Sequence, residues 1–260
     1  MGGEVRIERR GFLGWIIFDH PQRRNAISAG MWQAIPSAAQ TLDANPDVRV
    51  VIMRGAGDVA FVSGADISEF EHSRSGTAAE EYDQQNARAF FALATLHKPL
   101  IALIHGFCVG GGCALSLTAD LRYAADDAVF AIPAARLGLG YNAAGLEMLV
   151  NSVGYAAAKE IFFTARRFTA AEALHMGLVN QVVPKAELDA MVQRTAEEIA
   201  ANAPLTVRSA KLIFGELTKD PAHRDDAAIA ASIRACYASS DYAEGVRAFL
   251  EKRRPDFKGR

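Results

Sequence analysis

The apolar positions fall into two textures. In the first two thirds of the chain, short unbroken apolar runs alternate with longer stretches of helical spacing. Leu13 to Phe18, Val48 to Met53, Leu100 to Ile104, Leu121 to Ala125, Val129 to Ile132 and Val179 to Val183 predict strands. Val5 to Ile7 predicts one more, joined to Leu13 to Phe18 by a turn at Gly11. Between them, helical spacing predicts a helix capped by Ser28 and flawed by Pro36, then helices over Glu80 to Leu96, Asn142 to Val153 and Ala156 to Thr164. Thr169 is placed to cap a short helix that ends at Gly177. After Pro184 the strand texture stops. Ala186 to Ala201, Pro204 to Leu217, Ala227 to Ala238 and Tyr242 to Arg253 all carry helical spacing. The pattern predicts an α/β core over residues 1–200 followed by a helical part over 201–260.

Two glycine-bearing turns interrupt this pattern. Gly110-Gly111-Gly112-Cys113 follows the strand-like Leu100 to Ile104 and opens the apolar Ala114 to Leu117. Glycines at a strand-to-helix turn let the backbone approach a ligand closely and leave N–H groups unpaired at a helix start. Phe61-Val62-Ser63-Gly64-Ala65-Asp66-Ile67 follows the strand-like Val48 to Met53. Taken alone, either turn is a tight connection. Taken together, they supply two backbone donors that can converge on one oxygen and hold developing negative charge.

Composition narrows the partners. The chain has 260 residues, 50% hydrophobic and 22% charged, with a net charge of −2. That is the make-up of a globular protein, without the basic balance of a nucleic-acid or membrane-surface binder. No apolar run has the length of a membrane span, and the N-terminal residues lack a signal-peptide core, so a cytoplasmic location is expected. Cys108, Cys113 and Cys236 lack metal-ligand spacing and read as buried free thiols. No metal and no separate cofactor is expected.

At this point the chain resembles the crotonase superfamily, the enoyl-CoA hydratase/isomerase group. The resemblance rests on Arg24-Asn25-Ala26, Phe61 to Ile67, Lys98-Pro99 through Gly112, Asp120, Phe168 through Val179, and Phe249 to Arg253. It implies a spiral of ββα units with a C-terminal helical trimerisation region. It implies an acyl-CoA thioester as substrate, with coenzyme A present as part of it, and self-association as a trimer or a dimer of trimers. The backbone N–H groups of Ala65 and Gly111 become the oxyanion donors. Arg24, Ser63, Ala65, Asp66, Ile67, Gly111, Phe249 and Lys252 become substrate or CoA contacts.

Two departures from the family pattern bear on the reaction. Hydratases of the group carry glutamates where Ala114 and Ala134 stand. Positioned acid–base groups contribute ~10²–10⁴-fold, so chemistry that needs an electron sink but no base is favoured. The segment Gly140-Tyr141-Asn142-Ala143-Ala144-Gly145 is similar to the Tyr-Asn-x-x-Gly segment of methylmalonyl-CoA decarboxylases, which gives Tyr141 the role of orienting a substrate carboxylate. Against this, those decarboxylases carry a histidine where Ala65 stands. The expectation is a decarboxylase-like lyase on a malonyl-type acyl-CoA. The alternatives are an enoyl-CoA hydratase/isomerase with an unusual base such as Glu147, and a non-catalytic acyl-CoA-binding protein. For Tyr141 a core or interface position is the other reading; for Glu147 it is a solvated helix face. Asp66 reads equally as a cap. Arg23 and Lys258 read as solvated cations or phosphate contacts. Asp120, His20, His97 and His105 read as structural, the histidines because none has a carboxylate at telling spacing.

Overall fold

The computed structural model describes residues 2–66 and 77–260, with side chains described from residue 80 in the second stretch. The strands form two sheets. A six-stranded sheet has the order β1 (Glu4–Arg10), β2 (Leu13–Asp19), β3 (Val50–Gly55), β5 (Leu100–Ile104), β7 (Leu121–Ala125), β10 (Gln181–Val183). A smaller sheet has the order β4 (Ala60–Val62), β6 (Phe107–Val109), β8 (Val129–Ala131), β9 (Phe168–Thr169). Among the described strands only β1–β2 and β8–β9 form antiparallel ladders. The chain therefore crosses from large sheet to small sheet three times, at β3–β4, β5–β6 and β7–β8. A helix follows each crossing: α2 (Thr77–Ala94), α3 (Gly111–Leu117) and α4 (Ala143–Thr164). This is the expected spiral of ββα units.

The apolar runs of the large sheet are unbroken because both its faces are covered. Alternate residues serve different cores. Ile16, Phe18, Val51, Met53, Ala102 and Ile104 face the main core shared with α1 (Ala29–Ala44) and the small sheet. Leu13, Trp15, Ile17, Val50, Ile52, Ile101 and Leu103 face Leu188, Val192 and Ala196 of α6 (Lys185–Ala200). Each such side chain contributes about 1.5–3 kcal/mol on burial.

Helix starts follow their caps. Ser28 Oγ accepts from Met31 N at 3.3 Å, and α1 runs on through Pro36. Thr169 and Glu172 form a reciprocal capping box at α5 (Ala170–His175). The two helices expected over 142–164 are one run broken at Gly154, where φ is +74°. The C-terminal α7 (Pro204–Leu217), α8 (Asp226–Tyr237) and α9 (Ser240–Leu250) follow α6. The tail folds back on α9: Asp241 accepts from Lys258 N and Gly259 N, both at 2.7 Å, and Glu244 holds Arg253.

Four expectations need correction. The glycine run does not follow Leu100–Ile104 directly, since β6 lies between them. The turn through Gly64 likewise follows β4, not β3. Strands of three residues show no periodicity, so both were hidden. Of the loop expected over Glu71 to Ala78, residues 71–76 lie outside the described residues, and Thr77–Ala78 already begin α2. Among the thiols, Cys108 and Cys113 are buried but Cys236 is only half-buried.

Candidate active site

The two glycine turns end neighbouring strands. β4 and β6 pair in parallel, Ala60 opposite Phe107 and Val62 opposite Cys108, so both chains leave the small sheet at the same end. Gly64-Ala65 follows β4, and Gly110-Gly111 follows β6. Gly110 takes φ +54° and ψ −116°, open only to glycine, and donates its N–H to Ala131 O at 2.8 Å. The chain then enters α3 with Gly111 as its first helical residue. Its N–H has no intrahelical acceptor. A methyl on Gly112 would overlap the Val62 carbonyl oxygen, so only glycine lets α3 sit this close to β4.

The Ala65 donor is freed by a different device. Ile27 and Ala65 form a parallel bridge in which Ile27 makes both bonds: its N donates to Gly64 O at 2.9 Å and its O accepts from Asp66 N at 3.0 Å. The N–H of Ala65 therefore points away from Ile27. The Ala65 nitrogen itself lies beside the glycine helix, where a Cβ built on Gly111 would be 3.8 Å from it. The same point lies 3.3 Å from Trp32 Cζ2, and the buried Trp32 donates Nε1–H to Tyr82 Oη at 2.9 Å. The Ala65 nitrogen and the start of the glycine helix thus lie close together against an aromatic wall, a setting whose low polarity would strengthen any hold on an anion.

The turn of residues 23–25 braces this site. Arg24 and Asn25 both take left-handed backbone, at φ +52° and +56°. The buried Asn25 accepts from His20 N and donates to Ala56 O and Ala60 O, at 3.0, 3.0 and 2.8 Å. Ser63 spends both its donors on this turn, N–H to Arg24 O at 3.1 Å and Oγ–H to Arg23 O at 3.0 Å. Arg24 itself is exposed, with its guanidinium over the Phe107 ring at 4.5 Å. The buried Asp66 lies 3.9 Å from the Arg23 guanidinium.

The remaining expected residues are more scattered. Ile67 lies outside the described residues. Tyr141 is half-buried and edge-on to Phe162, with centroids 5.1 Å apart. Its neighbour Asn142 is the cap of α4, accepting from Gly145 N at 2.9 Å. The Tyr-Asn-x-x-Gly pattern is thus in part a helix start. Phe249 and Lys252 are exposed at the end of α9, Phe249 at 83%. Glu147 is exposed on α4. Ala114 and Ala134 are buried, so apolar surface lies where hydratases of the family place carboxylates.

Two of the histidines read as structural meet carboxylates in space. Asp43 and Asp189 lie far from His97 and His105 in the chain but touch them in space. His97 Nδ1 meets Asp43 Oδ2, and the buried His105 Nε2 meets Asp189 Oδ2, both at 2.6 Å. No spacing rule could have found either pair. Asp120 is structural as expected, accepting from Leu100 N at 2.6 Å and pairing with Lys211 at 2.7 Å. Lys258 pairs with Asp256 at 2.6 Å. Among the described residues no group of side chains could hold a metal ion, and no helix is long and apolar enough to cross a membrane. Burial and the neighbouring Cys113 push the Cys108 thiol well above its usual range, which marks it as inert.

Known proteins resemble this chain over nearly its whole length. The family model for enoyl-CoA hydratase/isomerase matches residues 8–260. A crotonyl-CoA hydratase of Syntrophomonas wolfei is 34% identical over 253 residues, covering 97% of each chain. A peroxisomal Delta(3,5)-Delta(2,4)-dienoyl-CoA isomerase of Arabidopsis thaliana is 36% identical over 254 residues, covering 93% of this chain and 91% of its own. The solved structure of an enoyl-CoA hydratase/carnithine racemase from Magnetospirillum magneticum superposes with a TM-score of 0.93 at 35% identity, over 98% of this chain and 96% of that one.

Proposed function

The chain belongs to the enoyl-CoA hydratase/isomerase family, and from that premise we propose that it binds an acyl-CoA thioester and carries hydratase/isomerase-type chemistry through a thioester enolate. The observation that supports this most directly is the approach of Ala65 N to Gly111, with both N–H groups turned out of the protein's own hydrogen bonding among the described residues. The thioester oxygen takes both donors. Negative charge that develops on it as C2 gains carbanion character is then stabilised, each donor contributing roughly 2.7–4 kcal/mol. Names of the relatives favour this reading. Its proton transfers fall to a group other than residues 114 and 134, and Glu147 is the carboxylate we assign to them.

A second reading is favoured by Ala114, Ala134 and Tyr141. A malonyl-type thioester loses its carboxylate as carbon dioxide: the bond from C2 to the carboxylate carbon breaks, its electrons enter the enolate, and C2 then takes a proton from solvent. No base is needed. The Tyr141 hydroxyl would hold the carboxylate perpendicular to the thioester plane.

One panel separates the readings. Crotonyl-CoA hydration within tenfold of ~10 s⁻¹, lost in Glu147→Gln, supports the first. Carbon dioxide release from methylmalonyl-CoA, slowed about ten- to a hundredfold in Tyr141→Phe by loss of a bond to a charged group, supports the second. Acyl-CoA binding without turnover of either leaves a binding protein. We also assign the exposed Phe214, Tyr237, Tyr242, Val246, Phe249 and Leu250 to contacts among copies in a trimer or a dimer of trimers, within reach of which Phe249 and Lys252 would meet a neighbour's CoA. A stable monomer in sedimentation at micromolar concentration would refute this assignment.

A further inference from the structure

Asp189 stands on α6, on the opposite side of the large sheet from the main core, yet it grips both segments that lead to the oxyanion donors. One oxygen takes the buried His105, and the other takes the Arg54 guanidinium. His105 is the crossing residue between β5 and β6. Arg54 is near the end of β3, and its remaining donors bind the last residue of that strand and the β3–β4 crossing, Nε to Gly55 O at 3.2 Å and Nη2 to Gly57 O at 3.0 Å. The β5–β6 crossing also touches β4 directly, Phe61 N donating to His105 O at 2.7 Å. His105 Nδ1 is buried without a partner among the described residues. Among the described residues Asp189 is therefore the one hydrogen-bond partner that the ring has.

The β4–β6 ladder alone fixes the donors' spacing poorly. Its register shifts between Ala60 and Val62, so one residue of β4 has no counterpart in β6 just before Ala65 and Gly111. Any slide of one strand against the other changes the gap between the donors. The crossings are where such a slide would begin, because there the chain leaves the long, regular ladders of the large sheet. We propose that Asp189 is a positioning residue that locks the two crossings together and so sets the gap between the N–H groups of Ala65 and Gly111. This rests on the oxyanion reading above. The paired partners also hold the Asp189 carboxyl at about 2, well below its usual range, first through the His105 bond and then through the Arg54 charge.

The probe is acetoacetyl-CoA, a β-ketoacyl thioester whose enolate absorbs in the near ultraviolet apart from the keto form. Bound at saturation to the wild-type chain, it should show the enolate band. In Asp189→Asn the ratio of enolate to keto form should fall about tenfold, a part of the two to three orders that outright loss of a donor costs. The Kd for coenzyme A itself should not change, and Asp189→Glu should recover part of the ratio. Leu188→Ala loosens the same helix through the core and should leave the ratio intact. An unchanged ratio in Asp189→Asn overturns the proposal, as does an equal fall in Leu188→Ala. No enolate band with the wild-type chain overturns the oxyanion reading itself, and the inference with it. Should Asp189→Asn not fold, Arg54→Lys and His105→Gln carry the same test, each expected to lower the ratio.

Discussion

The two donor turns do one job by different physical means. Gly111 is made available by geometry: it opens a helix, where an N–H is orphaned in any protein. Ala65 is made available by bonding: Ile27 takes both neighbours' groups and leaves Ala65 facing the other way. The first turn depends on glycines and close packing, the second on a web of polar side chains around Asn25 and Ser63. The first should therefore fail through added bulk or a missing N–H, and the second through a lost hydrogen bond at a distance.

The largest effect expected is at Gly111. Proline there removes the donor, yet the first position of a helix is where proline is best tolerated. Gly111→Pro should keep its circular dichroism and lose about 10²–10³-fold in turnover of whichever acyl-CoA the chain accepts. Full activity in that folded variant would show that the Gly111 N–H holds no oxyanion.

The Ala65 side is tested next at Asn25. Asn25→Ala orphans Ala56 O, Ala60 O and His20 N, and puts alanine into left-handed backbone. A loss of about 2–4 kcal/mol in urea unfolding is expected, together with weakened turnover. An unchanged midpoint would mean that the web does not brace the turn.

Gly112→Ala probes the packing that the first turn relies on. The new methyl meets a backbone oxygen of Val62, which has nowhere to rotate. Overpacking of this kind costs about 1–3 kcal/mol. Activity should fall with stability, since α3 would be pushed off β4 and Gly111 carried with it.

Much of the fold could be read from the residues before any coordinates. The six long apolar runs and the Ser28 and Thr169 caps signal themselves locally, and the spiral followed from the resemblance carried by the two glycine turns. What stayed hidden was either too short or too far apart. β4 and β6 have three residues each, below any period, yet they deliver the donors. The Asp189 grip joins residues from three distant segments, so nothing along the chain marks it. Ala114 and Ala134 were legible as departures, but what replaces their missing carboxylates depends on side chains brought together in space.

The smallest effect expected concerns the side chain that grips both crossings. Asp189 has a usual value of 3.8 and is held at about 2 in the folded chain. A carboxyl lowered by folding adds stability that is complete above its unfolded value and lost as pH falls through the folded one. The window therefore runs from just above pH 4 down to about 2. The full shift would correspond to roughly 2 kcal/mol. The Asp189 side chain is 50% exposed, so screening by water reduces this to about 1 kcal/mol. Urea unfolding of the wild-type chain beside Asp189→Asn should show that gap at pH 6, see it shrink by about half near pH 3 and close near pH 2. A gap independent of pH would mean that the charge on Asp189 adds nothing, and that the two crossings are held by shape alone.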